Sequence, residues 1–135
     1  MLKLIVGVKG TGKTKTLVSM VNEAVDASHG DVVCIEKGTK LRFDVKYQAR
    51  LINSDEYFID DARSLGGFIA GILASNHDVT ELFVDSALKI CNNNVDEFEV
   101  LVTKVANLVE SLPVKVLFTV SMPVEEASET LRKYM

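Results

Sequence analysis

Apolar residues along the chain fall into two patterns: short continuous runs, and longer stretches with helical spacing. The continuous runs occupy residues 2–8, 31–36, 81–86 and 114–120. Such a run is typical of a strand buried on both faces of a parallel sheet. We therefore predict four core strands, with a further short extended piece at residues 49–52.

Three stretches between these runs carry apolar residues three and four positions apart, which predicts amphipathic helices. The first spans Lys13–Ala27, the second runs from about residue 60 to 76, and the third covers 98–112, where Pro113 ends it. The predicted buried face of the second helix is Leu65, Ile69, Ile72 and Leu73. Three glycines in that helix indicate either close backbone packing or a shorter helix.

Two other segments carry weaker patterns. Residues 41–47 alternate strictly, with Leu41, Phe43, Val45 and Tyr47 on one side, which predicts a strand with one solvated face. Beyond Pro123, residues 125–134 are predicted to form a final helix.

Strands that alternate with helices predict right-handed crossovers and an α/β fold. We expect a three-layer α/β/α sandwich with a mainly parallel sheet. At 135 residues, the chain has the length of a single domain covering residues 1–135. Ligands of such sheets bind at the carboxyl ends of the strands.

The stretch GVKGTGKT lies between the first predicted strand and the first predicted helix. It matches G-x-x-x-x-G-K-[ST], in which glycines allow backbone N–H groups to surround a phosphate. Lys13 is placed to reach the β and γ phosphates, and the Thr14 hydroxyl to ligate Mg²⁺. The predicted binding residues are Gly7, Lys9, Gly10, Thr11, Gly12, Lys13, Thr14 and Lys15. The alternative is an ordinary glycine turn.

A metal carboxylate is expected at the end of a buried strand, and the run ELFVD supplies Asp85. We predict that Asp85 holds Mg²⁺ together with Thr14. Asp60 and Asp61 compete for this role. We favour Asp85 because no helix precedes the run YFIDD to bring it beside the first strand, so Asp60 and Asp61 would instead mark a helix N-terminus.

These motifs resemble the P-loop NTPase superfamily, in particular its RecA-like branch, over most of the chain. The resemblance implies a P-loop NTPase fold that binds ATP with Mg²⁺. It also implies that the strand at 114–120 lies between the phosphate-loop strand and the strand of Asp85. Thr119 or Ser121 would then occupy the place of a γ-phosphate sensor, although a hydroxyl there is also an ordinary strand-end group.

Three stretches, GVKGTGKTKTLVSMVNEAV, VVCIEKG and ELFVDSALKI, are similar to a family of small stand-alone bacterial ATP-binding proteins. Members of that family are often labelled as similar to twitching-motility ATPases. The only two histidines, His29 and His77, flank predicted helix ends, which favours exposed loop positions over catalytic ones.

The expected activity depends on the residue after Asp85. In the RecA-like branch a glutamate usually follows the metal aspartate and activates water, but here that residue is Ser86. The sequence therefore favours Mg²⁺-dependent ATP binding with weak or partner-stimulated hydrolysis, with Lys13 and Asp85 as the catalytic candidates. No arginine stands at a spacing diagnostic of an arginine finger.

Two alternatives stay open. One is a non-hydrolysing nucleotide-dependent switch or assembly module, in which ATP orders residues 39–59 for a protein partner or for self-association. The other is a small-molecule kinase, since the order of elements resembles that of thymidine kinases with RecA-like topology. Those kinases carry a zinc-binding cysteine lid, which Cys34 and Cys91 alone cannot form.

Composition limits the classes of partner that the chain is expected to bind. The formal net charge of -4 offers no broad basic field, so nucleic acid is not an expected partner. No segment has the roughly 18 consecutive apolar residues of a membrane span, and no membrane partner is expected. Two cysteines without framework spacing fit reduced thiols, which favours a cytoplasmic location.

Overall fold

Five parallel strands form the centre of the molecule, which is described over all 135 residues by a computed structural model. The strands are β1 (Leu2–Gly7), β2 (Asp31–Glu36), β3 (Arg50–Asn53), β4 (Val79–Val84) and β5 (Lys115–Ser121). Their order across the sheet is β1-β5-β4-β2-β3. All four pairs of neighbouring strands are parallel, so the carboxyl ends of all five strands meet at one edge of the sheet.

Helices cover both faces of this sheet. They are α1 (Lys13–Ala27), α2 (Ala62–Ser75), α3 (Ala87–Ile90), α4 (Val95–Val109) and α5 (Glu129–Arg132). Side chains alternate across the sheet along β2: Val32 and Cys34 join the core of α1, whereas Val33 and Ile35 join the core of α2 and α4. The predicted α/β fold with three layers is confirmed.

Local sequence explains where the long helices begin. The Asp61 carboxylate accepts a hydrogen bond from the Ser64 N–H at 2.7 Å and starts α2. Before α4, Asn92 and Asn93 both have φ of 57°, a left-handed conformation that asparagine tolerates, and Asn94 caps the helix through the Glu97 N–H. The asparagine-rich loop therefore leads into the start of α4. Asp61 marks the N-terminus of a helix, which is the alternative to metal binding considered for it in the sequence.

The strand predicted at residues 41–47 is wrong. These residues form consecutive turns, in which the Leu41 carbonyl accepts hydrogen bonds from the N–H groups of Asp44 and Val45. The buried side chains are Leu41, Val45 and Ala49, four residues apart, while Phe43 is 85 % exposed. A spacing of four is contained in strict alternation, so the pattern alone could not separate a turn that packs on α1 from a strand.

The long final helix predicted at 125–134 is also wrong. A 3₁₀ turn at Val124–Glu126 is followed by the extended, buried residue Ala127, and only then does Ser128 cap the four-residue helix α5. The Arg132 guanidinium donates to the carbonyl oxygens of Ala127 and Val124. These two bonds satisfy the backbone where the predicted helix is interrupted.

The glycines of α2 do not share one role. A Cβ at Gly66 would lie 3.0 Å from Leu101 Cδ1, which shows that α2 packs closely on α4 there. At Gly67 and Gly71 an added Cβ would meet nothing within 4 Å. Close packing therefore explains one glycine of the three, and each end of the helix lies within two residues of the predicted bound.

A pair of glycine variants tests this account of packing. Gly67→Ala is expected to raise the free energy of unfolding by about 0.5–1 kcal/mol, because alanine is the better helix former and the space is open. Gly30→Ala is expected to lower it by roughly 1–3 kcal/mol, since its Cβ would collide with the Asp78 carbonyl oxygen and the Thr80 side chain. Urea unfolding measures both. Equal effects of the same sign would contradict the packing described.

Candidate functional site

The loop between β1 and α1 needs glycine at three positions. Gly10 and Gly12 have φ of 88° and 82°, a backbone conformation that other residues rarely adopt. At Gly7 an added Cβ would lie 2.8 Å from Thr11 Oγ1, which donates a hydrogen bond to the Val8 carbonyl oxygen. Any residue larger than glycine at Gly7, Gly10 or Gly12 would therefore deform this glycine-rich loop.

The N-terminus of α1 differs from those of α2 and α4. It has no side-chain cap and no acidic residue in its first turn, whereas Asp61 and Asn94 cap the other two long helices. Uncapped N–H groups and the helix dipole make such an end favourable for an anion. Residues Gly12, Lys13, Thr14 and Lys15 at this end line a cavity.

Lys13 lies along the glycine-rich loop. Its side chain is largely buried, and Nζ donates to the Val8 carbonyl oxygen at 2.8 Å. The Thr11 hydroxyl lies 3.5 Å from the same Nζ. The ammonium group therefore lies against the glycine-rich loop and gives it a full positive charge.

The structure brings Thr14 and Asp85 together across 71 residues of sequence. The Thr14 hydroxyl lies 3.1 Å and 3.2 Å from the two carboxylate oxygens of Asp85. Asp60 and Asp61 line no part of the cavity, and Asp61 is committed to capping α2. Of the competing carboxylates, only Asp85 has the geometry to share a cation with Thr14.

Thr119 holds Asp85 from the neighbouring strand. In the parallel register Val84 pairs with Phe118, which places Thr119 beside Asp85. The fully buried Thr119 hydroxyl donates to Asp85 Oδ1 at 2.7 Å and accepts the Ser86 N–H at 2.7 Å. The Thr119 hydroxyl therefore has the contacts of an ordinary strand-end group. Of Thr119 and Ser121, it is Ser121 that lines the cavity.

Ser86 has an unusual backbone. Its φ is 54°, so a non-glycine residue takes the left-handed conformation directly after Asp85. Its Oγ lies 3.5 Å from Asp85 Oδ2. The N–H bond to Thr119 and this turn together direct the chain from β4 into α3.

Glu36 is a site residue that the sequence prediction missed. It ends β2, one strand beyond Asp85, and it is only 3 % exposed. Its carboxylate accepts the N–H groups of Lys40 and Leu41 at 3.1 Å. Burial is the main cause of the raised pKa of Glu36, opposed by these two N–H groups and assisted by the nearby Asp85 charge. An acid at the end of the buried run DVVCIE is the signal that could have found it, as it found Asp85.

Side-chain alternation places these groups on one face of the sheet. Glu36, Asp85 and Thr119 follow the same alternation as Cys34, Phe83 and Leu117, which face α1. Cys34, directly beneath the two carboxylates, is buried, and burial raises its pKa strongly. This thiol is therefore not expected to be reactive at neutral pH.

The cavity has a volume of about 690 Å³, and Leu41 is the one hydrophobic residue among those that line it. Its lining includes six lysines and two carboxylates, although the whole chain has more acidic than basic residues. No arginine lines it. The lysines are Lys9, Lys13, Lys15, Lys37, Lys40 and Lys89, and the carboxylates are Glu36 and Asp85. The arrangement favours an anionic ligand with a cation between it and Asp85.

Comparison with known proteins does not assign this chain to a family. The chain matches no protein-family model, and no curated protein matches it. None of its helices combines the length and the apolar composition that crossing a membrane requires.

No group of three or more His, Cys, Asp or Glu side chains is placed to hold a metal ion. A cation at Thr14 and Asp85 would thus need oxygen atoms from its ligand and from water.

Replacing Thr119 tests how Asp85 is held. Thr119→Val removes one partner of Asp85 Oδ1 and the only partner of the Ser86 N–H. The free energy of unfolding should therefore fall by about 1–3 kcal/mol. Thr119→Ser keeps the hydroxyl and is expected to lose less. Urea unfolding of both variants measures the difference. A valine variant as stable as the serine variant would show that these bonds do not stabilise the fold.

Proposed function

We propose that this protein binds a nucleoside triphosphate with Mg²⁺, and that it is a P-loop NTPase of the RecA-like kind. The observation that carries the proposal is the placement of Thr14 and Asp85 within 3.1 Å of each other, beside the glycine-rich loop. The strand order also supports it, because β5 lies between β1 and β4. ATP is the triphosphate that the motif resemblance implies.

Each site residue has a role that follows from its chemistry. The N–H groups of the glycine-rich loop and of the first turn of α1 donate to phosphate oxygens. Lys13 Nζ leaves the Val8 carbonyl oxygen and contacts the β and γ phosphates as a point charge. Thr14 and Asp85 supply oxygen atoms to Mg²⁺, which would neutralise phosphate charge when bound.

Hydrolysis requires a group that accepts a proton from water, and Ser86 is a poor base at neutral pH. Glu36 is a carboxylate one strand away from Asp85, on the same face, and it lines the same cavity. Its raised pKa brings the carboxylate closer to the range in which a general base works. We propose Glu36 as the base of a slow ATPase.

Two observations favour a switch without turnover as a second candidate. The Glu36 carboxylate is engaged by two backbone N–H groups, and no arginine lines the cavity to stabilise transferred charge. Both features predict slow hydrolysis in the isolated chain. A partner that supplies an arginine would then raise the rate.

A lysine pair tests nucleotide binding. Lys13→Ala is expected to weaken ATP binding roughly 10- to 100-fold, because a hydrogen bond to a charged group contributes about 1.5–3 kcal/mol. Lys104→Ala, on α4 and away from the cavity, is the matched control and should bind as the wild type does. Isothermal titration calorimetry measures both, with circular dichroism to verify the fold. Equal affinity in the two variants would refute the assignment of the loop.

Replacing Glu36 separates the ATPase from the switch. For Glu36→Gln we expect phosphate release to fall at least about 100-fold, since general bases contribute roughly 10²–10⁴. ATP affinity should change little, and the amide oxygen can still accept a backbone N–H. Glu56→Gln, outside the cavity, is the control. If the wild type binds ATP but releases no phosphate, the protein is a nucleotide-dependent switch and not an ATPase. Unchanged release in Glu36→Gln would instead exclude Glu36 as the base.

A further inference from the structure

The lysines of the cavity are more numerous than a triphosphate site needs. Six of the chain's 15 basic residues line this one cavity, against two of its 19 acidic residues. Lysines that crowd a cleft repel one another and concentrate anions there. The proposed triphosphate site accounts for the three lysines next to the glycine-rich loop, Lys9, Lys13 and Lys15.

The other three lysines come from a different part of the fold. Lys37 and Lys40 follow β2, and Lys89 lies in α3 after β4. Strands are about 4.8 Å apart, so β2 lies roughly 14 Å from β1 across β5 and β4. Because Thr14 already reaches Asp85 on the β4 side, a triphosphate bound by the glycine-rich loop would end near Asp85, and these lysines would lie beyond its outermost phosphate. We call Lys37, Lys40, Lys89 and the adjacent cavity residue Asn93 the distal side of the cavity.

Protein groups neutralise this distal side only in part: Lys37 pairs with Asp55, and the charge of Lys40 acts on the Glu36 carboxylate without a direct salt bridge. The chain has two salt bridges, Lys37 with Asp55 at 2.7 Å and Lys46 with Asp26 at 2.7 Å. Lys37 is thus paired already, whereas the ammonium groups of Lys40 and Lys89 make no hydrogen bond or salt bridge. Two ammonium groups therefore border the cavity without a hydrogen bond or salt bridge, next to the place where a γ phosphate would end.

We propose that the distal side is a second anion subsite, for a small phosphate-bearing molecule that binds next to the triphosphate. This inference rests on the proposed function, because it takes the loop side of the cavity to be filled by nucleotide. Lys40 and Lys89 contact the phosphate of the second ligand as point charges, and Asn93 donates through its amide. The cavity walls limit the ligand to a molecule that fits beside the nucleotide.

A small molecule fits this subsite better than a nucleic acid does. The cavity lining contains no aromatic residue on which a base could stack, and Leu41 is its one hydrophobic residue. Outside the cavity the chain is strongly acidic, so a long polyanion would be repelled beyond the lysines. The subsite is therefore assigned to a single phosphate group on a compact ligand.

The test begins with protein saturated with Mg²⁺ and the non-hydrolysable analogue AMP-PNP, whose own titration reports nucleotide binding alone. Glycerol 3-phosphate and inorganic phosphate are then titrated into that complex by calorimetry. We expect saturable binding of glycerol 3-phosphate with a Kd of about 1 mM or tighter. The double variant Lys40→Ala/Lys89→Ala should weaken it at least tenfold and leave AMP-PNP affinity within about twofold. Lys104→Ala/Lys133→Ala is the matched control, with both lysines outside the cavity.

Three outcomes would overturn the subsite. One is no binding of either phosphate to the saturated complex. Another is an equal loss of AMP-PNP affinity in the Lys40/Lys89 variant, which would assign these lysines to the triphosphate. The third is tighter binding of a ten-residue oligothymidylate that the same variant removes, which would assign a nucleic-acid strand. Failure of AMP-PNP to bind at all would instead count against the proposed function, and the first titration alone shows it.

Discussion

The carboxylate of Asp85 is the group on which the arrangement of the site depends. It is nearly buried, so it needs hydrogen-bond donors from the protein, and it receives them from two elements. Thr14 donates from the first turn of α1, and Thr119 donates from β5. Through these bonds one side chain links the start of α1 with β4 and β5. A bound cation would take the contact with Thr14 and keep the support from Thr119.

Parallel strands make this convergence possible. Because all five carboxyl ends meet at one edge, residues that follow β1, β2 and β4 border a single cavity although they are far apart in sequence. Alternation along each strand then selects the face: Glu36 and Asp85 point toward α1, while Ile35 and Val84 enter the opposite core. The same geometry collects lysines, which explains how an acidic chain has a basic cavity.

The sequence predicted the elements whose signal is local and strong. Lys13–Ala27 and Asp31–Glu36 were predicted with the observed bounds, and the phosphate-loop motif directed attention to Thr14 and Asp85. The turns at 41–47 were missed because Leu41 and Val45 satisfy two periodicities, and only packing on α1 decides between them. Lys40 and Lys89 are exposed residues in or next to short elements, and no pattern along the chain indicates that they border one cavity.

The magnesium dependence of ATP affinity tests the central claim most directly. Calorimetric titrations of the wild type and Asp85→Asn, each with Mg²⁺ and with EDTA, measure it. The account predicts one ATP per chain, tighter binding with Mg²⁺ in the wild type, and loss of most of that gain in Asp85→Asn with little change in EDTA. No ATP binding by the wild type at millimolar concentrations would contradict the account, as would an equal magnesium effect in both proteins.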